Sequence, residues 1–217
     1  MTDRRMTTSP MTVLRVFGRL IRHELRLIRC LGLWIARRRD GGRLGELFPY
    51  AQGSGAVMFG FGFVCVVETV VMSLLLKSWP TVHAVVLVVD VYTVLFVVGL
   101  HAASVVRPHV LERDAVRIRF AGHVDLRIPL DRIESVRRQK LMSHTRADGE
   151  LDVDVAGQTA VTIELAEPVT HTTFLGRRRE VRVLRVNADD DTAFVRALKD
   201  AVTRVRNESE PVPDLPG

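Results

Sequence analysis

The chain has 217 residues, a formal net charge of +6 and 47% hydrophobic residues. Its mean hydropathy is slightly positive although 26% of the residues are charged, so apolar and charged residues must occupy different segments. The two cysteines, Cys30 and Cys65, lie far apart and Cys65 sits inside an apolar run, which argues against a disulfide framework. No cluster of histidines and cysteines has the spacing of a zinc site, and we expect neither a metal nor a cofactor.

Residues 1–47 have the pattern of a basic amphipathic arm. Arginines recur at helical spacing on one face, and apolar residues such as Leu20, Ile21 and Ile28 fall on the other. Such a helix typically lies in the headgroup plane of an anionic membrane, so its arginines are predicted to contact lipids of the inner leaflet. The arginines concerned are Arg15, Arg19, Arg22, Arg26, Arg29, Arg37, Arg38 and Arg39. A helix packed on the protein's own cytoplasmic domain is the alternative, and nucleic acid is not expected as a partner because no DNA-reading motif is present.

Two long apolar runs follow, over residues 55–76 and 82–106, after the segment RRRDGGRLGE, which we interpret as a hinge. As helices each would be about 33 Å long or more, enough to cross a hydrocarbon core of roughly 30 Å. The linker KSWPT is short and holds only Lys77, whereas arginines flank both runs on their other side. The positive-inside bias therefore predicts a two-span protein of the cell membrane with both termini in the cytoplasm. A buried hairpin in a soluble protein would not need two apolar runs of this length.

Each run carries one acid, Glu68 in the first and Asp90 in the second, and each lies eleven residues from Trp79. In an antiparallel hairpin they fall at the same depth. A charge at the centre of a membrane helix costs roughly 3 kcal/mol on insertion scales. Two like charges at one depth would cost more, so we expect at least one acid to be protonated and the pair to share a hydrogen bond.

The second run has further polar residues on the same broad helical face as its acid. They are His83, Thr93, His101 and Ser104. Three interpretations remain open, in decreasing order of weight: polar contacts between helices or protomers, a proton or cation relay in an oligomer, and a ligand or metal site. The last is weakest because two histidines eighteen residues apart on one helix are about 27 Å apart and cannot bind one ion together.

Residues 108–206 change to the alternating pattern of short strands, as in Val116, Ile118 and Phe120. The segments ELDVDVAG and TAVTIELAEP are predicted to pair with each other, and an amphipathic helix closes the domain. The predicted architecture is a small antiparallel β-barrel or sandwich with a C-terminal helix. The polar, Pro-containing tail at 207–217 is expected to be disordered.

The order of strands followed by one helix resembles the pleckstrin-homology (PH) plan. The segment RPHVLERDAVRIRFAGHVDLRIPLDRIESVRR looks like the opening of bacterial PH-like domains, above all in L-x-I-P-L-x-x-I-x-x-V from Leu126 to Val136. Over residues 55–206 the chain resembles a family of uncharacterised actinobacterial integral membrane proteins. The resemblance implies a membrane α + β fold with a cytoplasmic PH-like domain, and it supplies no catalytic residues.

The function expected from these patterns is that of a membrane-anchored, non-enzymatic binding or scaffold protein. Its partners would be the anionic inner leaflet, a membrane protein or a second copy of the chain. The alternative is a small transport or channel subunit that uses Glu68 and Asp90 as an intramembrane proton or cation site. An enzyme is not expected, because no nucleophile elbow, P-loop, dinucleotide fingerprint or metalloprotease motif is present.

Overall fold

A computed structural model describes residues 10–42, 44–142, 148–155, 157–173 and 177–209, with side chains described for 18–208 of these. The described helices are α1 (Pro10–Ile35), α2 (Ser54–Leu75), α3 (Pro80–Val106) and α4 (Asp191–Ser209). The described strands are β1 (Glu46–Phe48), β2 (His109–Leu111), β3 (Ala115–Phe120), β4 (Val124–Pro129), β5 (Ile133–Leu141), β6 (Glu150–Val153), β7 (Thr159–Thr172) and β8 (Arg178–Val186).

Helices α2 and α3 correspond to the two predicted apolar runs, and both are long and apolar enough to cross a membrane. Pro80 occupies the first turn of α3, where its missing N–H costs no hydrogen bond. The two helices form an antiparallel hairpin, because His83 Nε2 lies 3.1 Å from Ser73 Oγ near the linker. At the other end Gly55 lies against the ring of His101. No residue of α2 is fully buried, and the face of α2 that points away from α3 is available to lipid or to another protein.

Helix α1 packs against the part of α3 that adjoins the domain. Leu27 and Cys30 are 4% and 3% exposed, and they form a small apolar cluster with Ala103. Gly99 permits this close approach, since a Cβ placed there would lie 3.4 Å from the Cβ of Leu27. A different stripe of α1 stays exposed and apolar. Its residues are Ile21, Leu25, Ile28 and Ile35.

The first sheet has the order β1-β2-β3-β4 and is antiparallel throughout. Strand β1 lies in the segment next to the predicted hinge, so the end of the N-terminal arm contributes an edge strand to the domain. Gly45 precedes that strand, and a Cβ at this position would lie only 2.0 Å from the carbonyl oxygen of Leu111. Glycine is therefore needed where β1 approaches β2.

The second sheet has the order β5-β7-β8-β6 and corrects two predictions. Strand β6 does not pair with β7 as predicted; it pairs in parallel with β8, so the domain is not all-antiparallel. Among the described residues, an isolated bridge links Val155 of the first predicted segment to Gln158, which lies between the two segments. The parallel register is held by Arg185, whose Nη1 lies 2.6 Å from Glu150 Oε2 and 3.1 Å from Asp152 Oδ1.

Helix α4 confirms the predicted C-terminal helix, with Asp190 as its N-cap: the carboxylate accepts a hydrogen bond of 2.8 Å from the N–H of Ala193. Its buried residues Phe194 and Leu198 join a core shared by both sheets. The strands described form two sheets with no pairing between them, which contradicts a closed barrel. Residues 207–209 of the predicted tail belong to α4, and the remainder lies outside the described residues.

Candidate functional site

The structure separates Glu68 and Asp90, the two acids of the apolar helices that the sequence predicts to lie at one depth. On α3, Asp90 lies on the same stripe as His83 and His101, both of which contact α2. Its side chain is half-buried, and within the described residues Oδ2 has no hydrogen-bond partner. Glu68 is exposed and lies on the side of α2 away from Ser73 and Gly55. The hairpin therefore does not join the acids by a hydrogen bond.

In the rest of the predicted polar face, Thr93 and Ser104 hydrogen-bond within their own helix, whereas the buried Nδ1 of His101 has no hydrogen-bond partner among the described residues. Thr93 Oγ1 donates to the carbonyl of Val89 at 2.8 Å, and Ser104 Oγ donates to that of Leu100 at 3.1 Å. His101 meets the edge of Trp34 from α1, with ring centroids 6.0 Å apart. These contacts are those of helix packing, and they do not bring the polar side chains together at one point.

The predicted lipid-contacting arginines differ in exposure and in whether they contact the protein itself. The side chain of Arg15 lies outside the described residues, Arg19 is half-buried, and the others are exposed. Two of them also reach the protein itself: Arg26 Nη1 donates to the carbonyl of Gly122 at 2.7 Å, and Arg29 Nη2 lies 3.9 Å from Asp40. Helix α1 thus contacts the turn between β3 and β4 as well as α3.

A buried aromatic pair connects the start of the hairpin to the domain. Tyr50, four residues before α2, stacks on His109 of β2 with ring centroids 4.8 Å apart. The hydroxyl of Tyr50 accepts a hydrogen bond of 2.8 Å from the N–H of Ala121. Burial raises the pKa of Tyr50 to about 12, so this phenol stays neutral.

His109 is fully buried, and its two ring nitrogens have fixed roles. Nδ1 accepts from the N–H of Arg119 at 3.2 Å, so Nε2 must carry the proton that it donates to the carbonyl of Asn187 at 2.9 Å. Burial lowers the pKa of His109 to about 4, and the nearby Arg119 charge acts in the same direction. The imidazole is a neutral structural element at neutral pH.

A second buried contact lies where the chain leaves the hairpin. Arg107 directly follows α3 and is 5% exposed. Its Nη1 donates to the carbonyl of Ala121 at 2.8 Å, and its Nη2 donates to Asp125 at 2.7 Å. Arg117 also binds Asp125, through both Nε and Nη2. Although burial alone would raise the pKa of Asp125, the adjacent guanidinium groups lower it.

These arginines line a cavity of about 310 Å³ between α1 and the first sheet, which we call the arginine cleft. Its charged lining residues are Arg26, Arg29, Arg107, Arg117, Arg119, Asp40 and Asp125. Cys30, Leu33 and Leu44 complete the lining. Five guanidinium groups face two carboxylates, so the cleft has an excess of positive charge. It can hold an anion.

Arg119 is the most buried charged residue of the cleft, with 3% of its surface exposed. Its Nη1 donates to the carbonyl of Asp40 at 3.2 Å, whereas its buried Nε has no hydrogen-bond partner among the described residues. Burial, then the charges of Arg117 and Arg107, lower the pKa of Arg119. A buried N–H donor of a charged group without an acceptor is costly, and the positive charge of Arg119 at the wall of the cleft favours an anion there.

This cleft has no counterpart among the sites predicted from the sequence. Arg117 and Arg119 alternate with the apolar residues of β3, which predicts exposed side chains on the solvent face of a strand. That face is instead covered by α1 and the segment around Asp40, and neither contact leaves a periodic signal. Among the described residues, no group of three or more His, Cys, Asp or Glu side chains forms a metal site.

No family model, no curated protein and no solved structure matches this chain. The site is therefore characterised by its own geometry.

The neutral state of His109 makes stability depend on pH. Between pH about 6.5 and 4, the unfolded chain binds a proton at this residue that the folded chain excludes, so stability falls as the pH falls. His109 should contribute a loss of about 2 kcal/mol between pH 7 and pH 5. Thermal unfolding of wild type and His109→Gln in neutral detergent measures this, and the variant should show the smaller pH dependence. The other histidines are common to both proteins, so equal pH dependences would contradict the assignment.

Proposed function

We propose that this chain is a membrane-anchored, non-enzymatic binding or scaffold protein that holds a PH-like domain at the cytoplasmic face of the cell membrane. Helices α2 and α3 are the two spans, and both termini are cytoplasmic. The two apolar helices and the domain of two sheets with one C-terminal helix support this proposal. The resemblance to actinobacterial membrane proteins with PH-like domains agrees with it.

The observation that carries the proposal is that the chain is bonded to the domain both where it enters the hairpin and where it leaves it. At the entry, the carbonyl of Pro49 accepts a hydrogen bond of 2.8 Å from the N–H of Asp189. At the exit, buried Arg107 donates to the carbonyl of Ala121 at 2.8 Å and to Asp125 at 2.7 Å. A domain held in this way has a fixed distance and orientation to the membrane, which suits the presentation of a binding surface.

The proposed partners follow from the surfaces of α1 and α2 that the rest of the protein leaves exposed. The exposed apolar stripe of α1 lies beside its arginines, so the helix can place both in the interface of an anionic leaflet. The exposed surface of α2 can contact lipid, a membrane protein or a second copy of the chain. The domain surface would then recruit a cytoplasmic protein or bind the inner leaflet itself.

Cysteine labelling tests this topology directly. Lys77 and Lys199 are exposed and lie in the linker and in α4. In a background in which Cys30 and Cys65 are replaced by serine, Lys77→Cys should react with a membrane-impermeant maleimide in intact cells, and Lys199→Cys only after permeabilisation. The cysteine-free protein is the control. Labelling of both positions in intact cells, or of Lys199→Cys alone, would contradict the proposal.

One observation favours a second candidate, a transport or channel subunit: the unpartnered carboxylate oxygen of Asp90 inside the hairpin. Asp90→Asn and Glu68→Gln, together and singly, separate the two functions in proteoliposomes. The scaffold function predicts that neither wild type nor the variants show a proton flux above that of protein-free liposomes. Any effect of the substitutions would then be on assembly of the protein. A wild-type flux that disappears in Asp90→Asn with assembly unchanged would establish transport, and exposed Glu68 provides the matched comparison.

A further inference from the structure

The arginine cleft lies at the end of the proposed second span. Arg107, which lines it, is the first residue after α3, and Arg26 and Arg29 reach it from α1. In the proposed topology this level is the cytoplasmic headgroup layer, where the phosphates of anionic lipids lie. The apolar side chains of Leu33 and Leu44 also line the cleft.

The arginines of the cleft are only partly neutralised by the protein. Arg107 and Arg117 share the single carboxylate of Asp125. Arg26 donates to a backbone carbonyl, which carries no compensating charge. Arg29 is 71% exposed on its side chain, and its carboxylate neighbour lies at 3.9 Å, beyond hydrogen-bond distance. Donors remain for an anion that enters the cleft.

Arg119 is an independent indication of a ligand. It is more than nine-tenths buried, lines the cleft, and has its one described side-chain hydrogen bond with a neutral carbonyl. Its Nε has no partner in the part of the chain that the structure describes. Buried guanidinium groups are normally paired with an anion that accepts several of their N–H groups.

We propose that the arginine cleft binds one phosphate group, with Arg26, Arg29 and Arg119 as its principal donors. The group belongs either to the headgroup of an anionic phospholipid or to free inorganic phosphate. The lipid source rests on the proposed membrane function, whereas phosphate binding itself does not.

Phosphate fits the chemistry of the cleft better than a carboxylate does. It has more acceptor oxygens and can carry two negative charges, and guanidinium forks bind it in a bidentate manner. The volume of about 310 Å³ lies at the lower end of the roughly 300–1,000 Å³ of ligand pockets, which suits a headgroup better than a larger ligand.

The test is calorimetric titration of the full chain in neutral detergent and phosphate-free buffer, where no anionic membrane surface contributes. Three probes are compared: dihexanoyl phosphatidic acid, dihexanoyl phosphatidylcholine and inorganic phosphate. Phosphatidic acid should bind saturably with one molecule per chain and at least about tenfold more tightly than phosphatidylcholine, since a charge-assisted contact is worth about this factor.

Two cleft variants and one matched control make the test specific. Arg29→Gln and Arg26→Gln/Arg29→Gln should weaken binding, the double variant by about tenfold or more. Arg196→Gln/Arg206→Gln removes two exposed arginines of α4 outside the cleft lining, and should change the Kd by less than about twofold. Because Arg29 is exposed and makes only a distant ion pair, its replacement should leave the thermal unfolding temperature unchanged.

Each outcome decides the proposal. Arginine-dependent binding of phosphatidic acid supports the lipid source, and arginine-dependent binding of inorganic phosphate alone supports the soluble source. The absence of saturable binding, or binding that the cleft variants leave unchanged, would overturn the proposal. Cysteine labelling is independent of this titration, so failure of the phosphate site and failure of the proposed topology can be distinguished.

Discussion

The hydrogen bonds of Arg107 connect the two parts of this protein. Its guanidinium lies directly after α3, 5% exposed, and bonds to the carbonyl of Ala121 and to Asp125. A buried charge that loses its partner costs about 3–5 kcal/mol, so this arrangement strongly favours one position of the β3–β4 turn relative to the hairpin. The same turn presents Ala121 to the hydroxyl of Tyr50 and Gly122 to Arg26. The turn that Arg107 positions therefore also contacts the entry of the hairpin and α1.

That geometry places several positive charges close together next to the proposed membrane. Asp125 compensates Arg107 and Arg117, and burial together with the charges of Arg117 and Arg107 lowers the pKa of Arg119. Stability alone would favour apolar residues at such positions, since well-packed hydrophobic replacements of buried ions are often neutral or stabilising. In the proposed site, the arginines that line the cleft beside Arg107, namely Arg26, Arg29 and Arg119, would hold a phosphate.

The elements predicted correctly are those with strong local signals. Helices α2 and α3 follow from long apolar runs, and α4 follows from its Asp-rich start and apolar stripe. Strand β1 was missed because three residues at an edge are too short to alternate. The parallel pairing of β6 with β8 was missed because alternation identifies a strand but not its partner, which here depends on Arg185 and two distant acids.

The candidate site, too, depends on packing between elements that sequence periodicity does not show. Counting residues from Trp79 gives the depth of Glu68 and Asp90, but the direction of each side chain depends on which stripe of each helix faces the other. Burial of Arg119 could not be predicted from β3, because it results from contacts with α1 and Asp40 that are far away in the sequence. Sequence periodicity gives elements and their faces, whereas a site built from several elements requires their packing.

The central claim is that the domain is fixed to the hairpin, and a distance distribution between the two tests it most directly. Spin labels at Val64→Cys in α2 and Asp200→Cys in α4, both exposed positions, can be measured by pulsed electron resonance in lipid nanodiscs after Cys30 and Cys65 are replaced by serine. A single narrow distribution is predicted for the otherwise native chain, and a broad one after Arg107→Ala. A broad distribution in the protein with Arg107 intact would contradict the account.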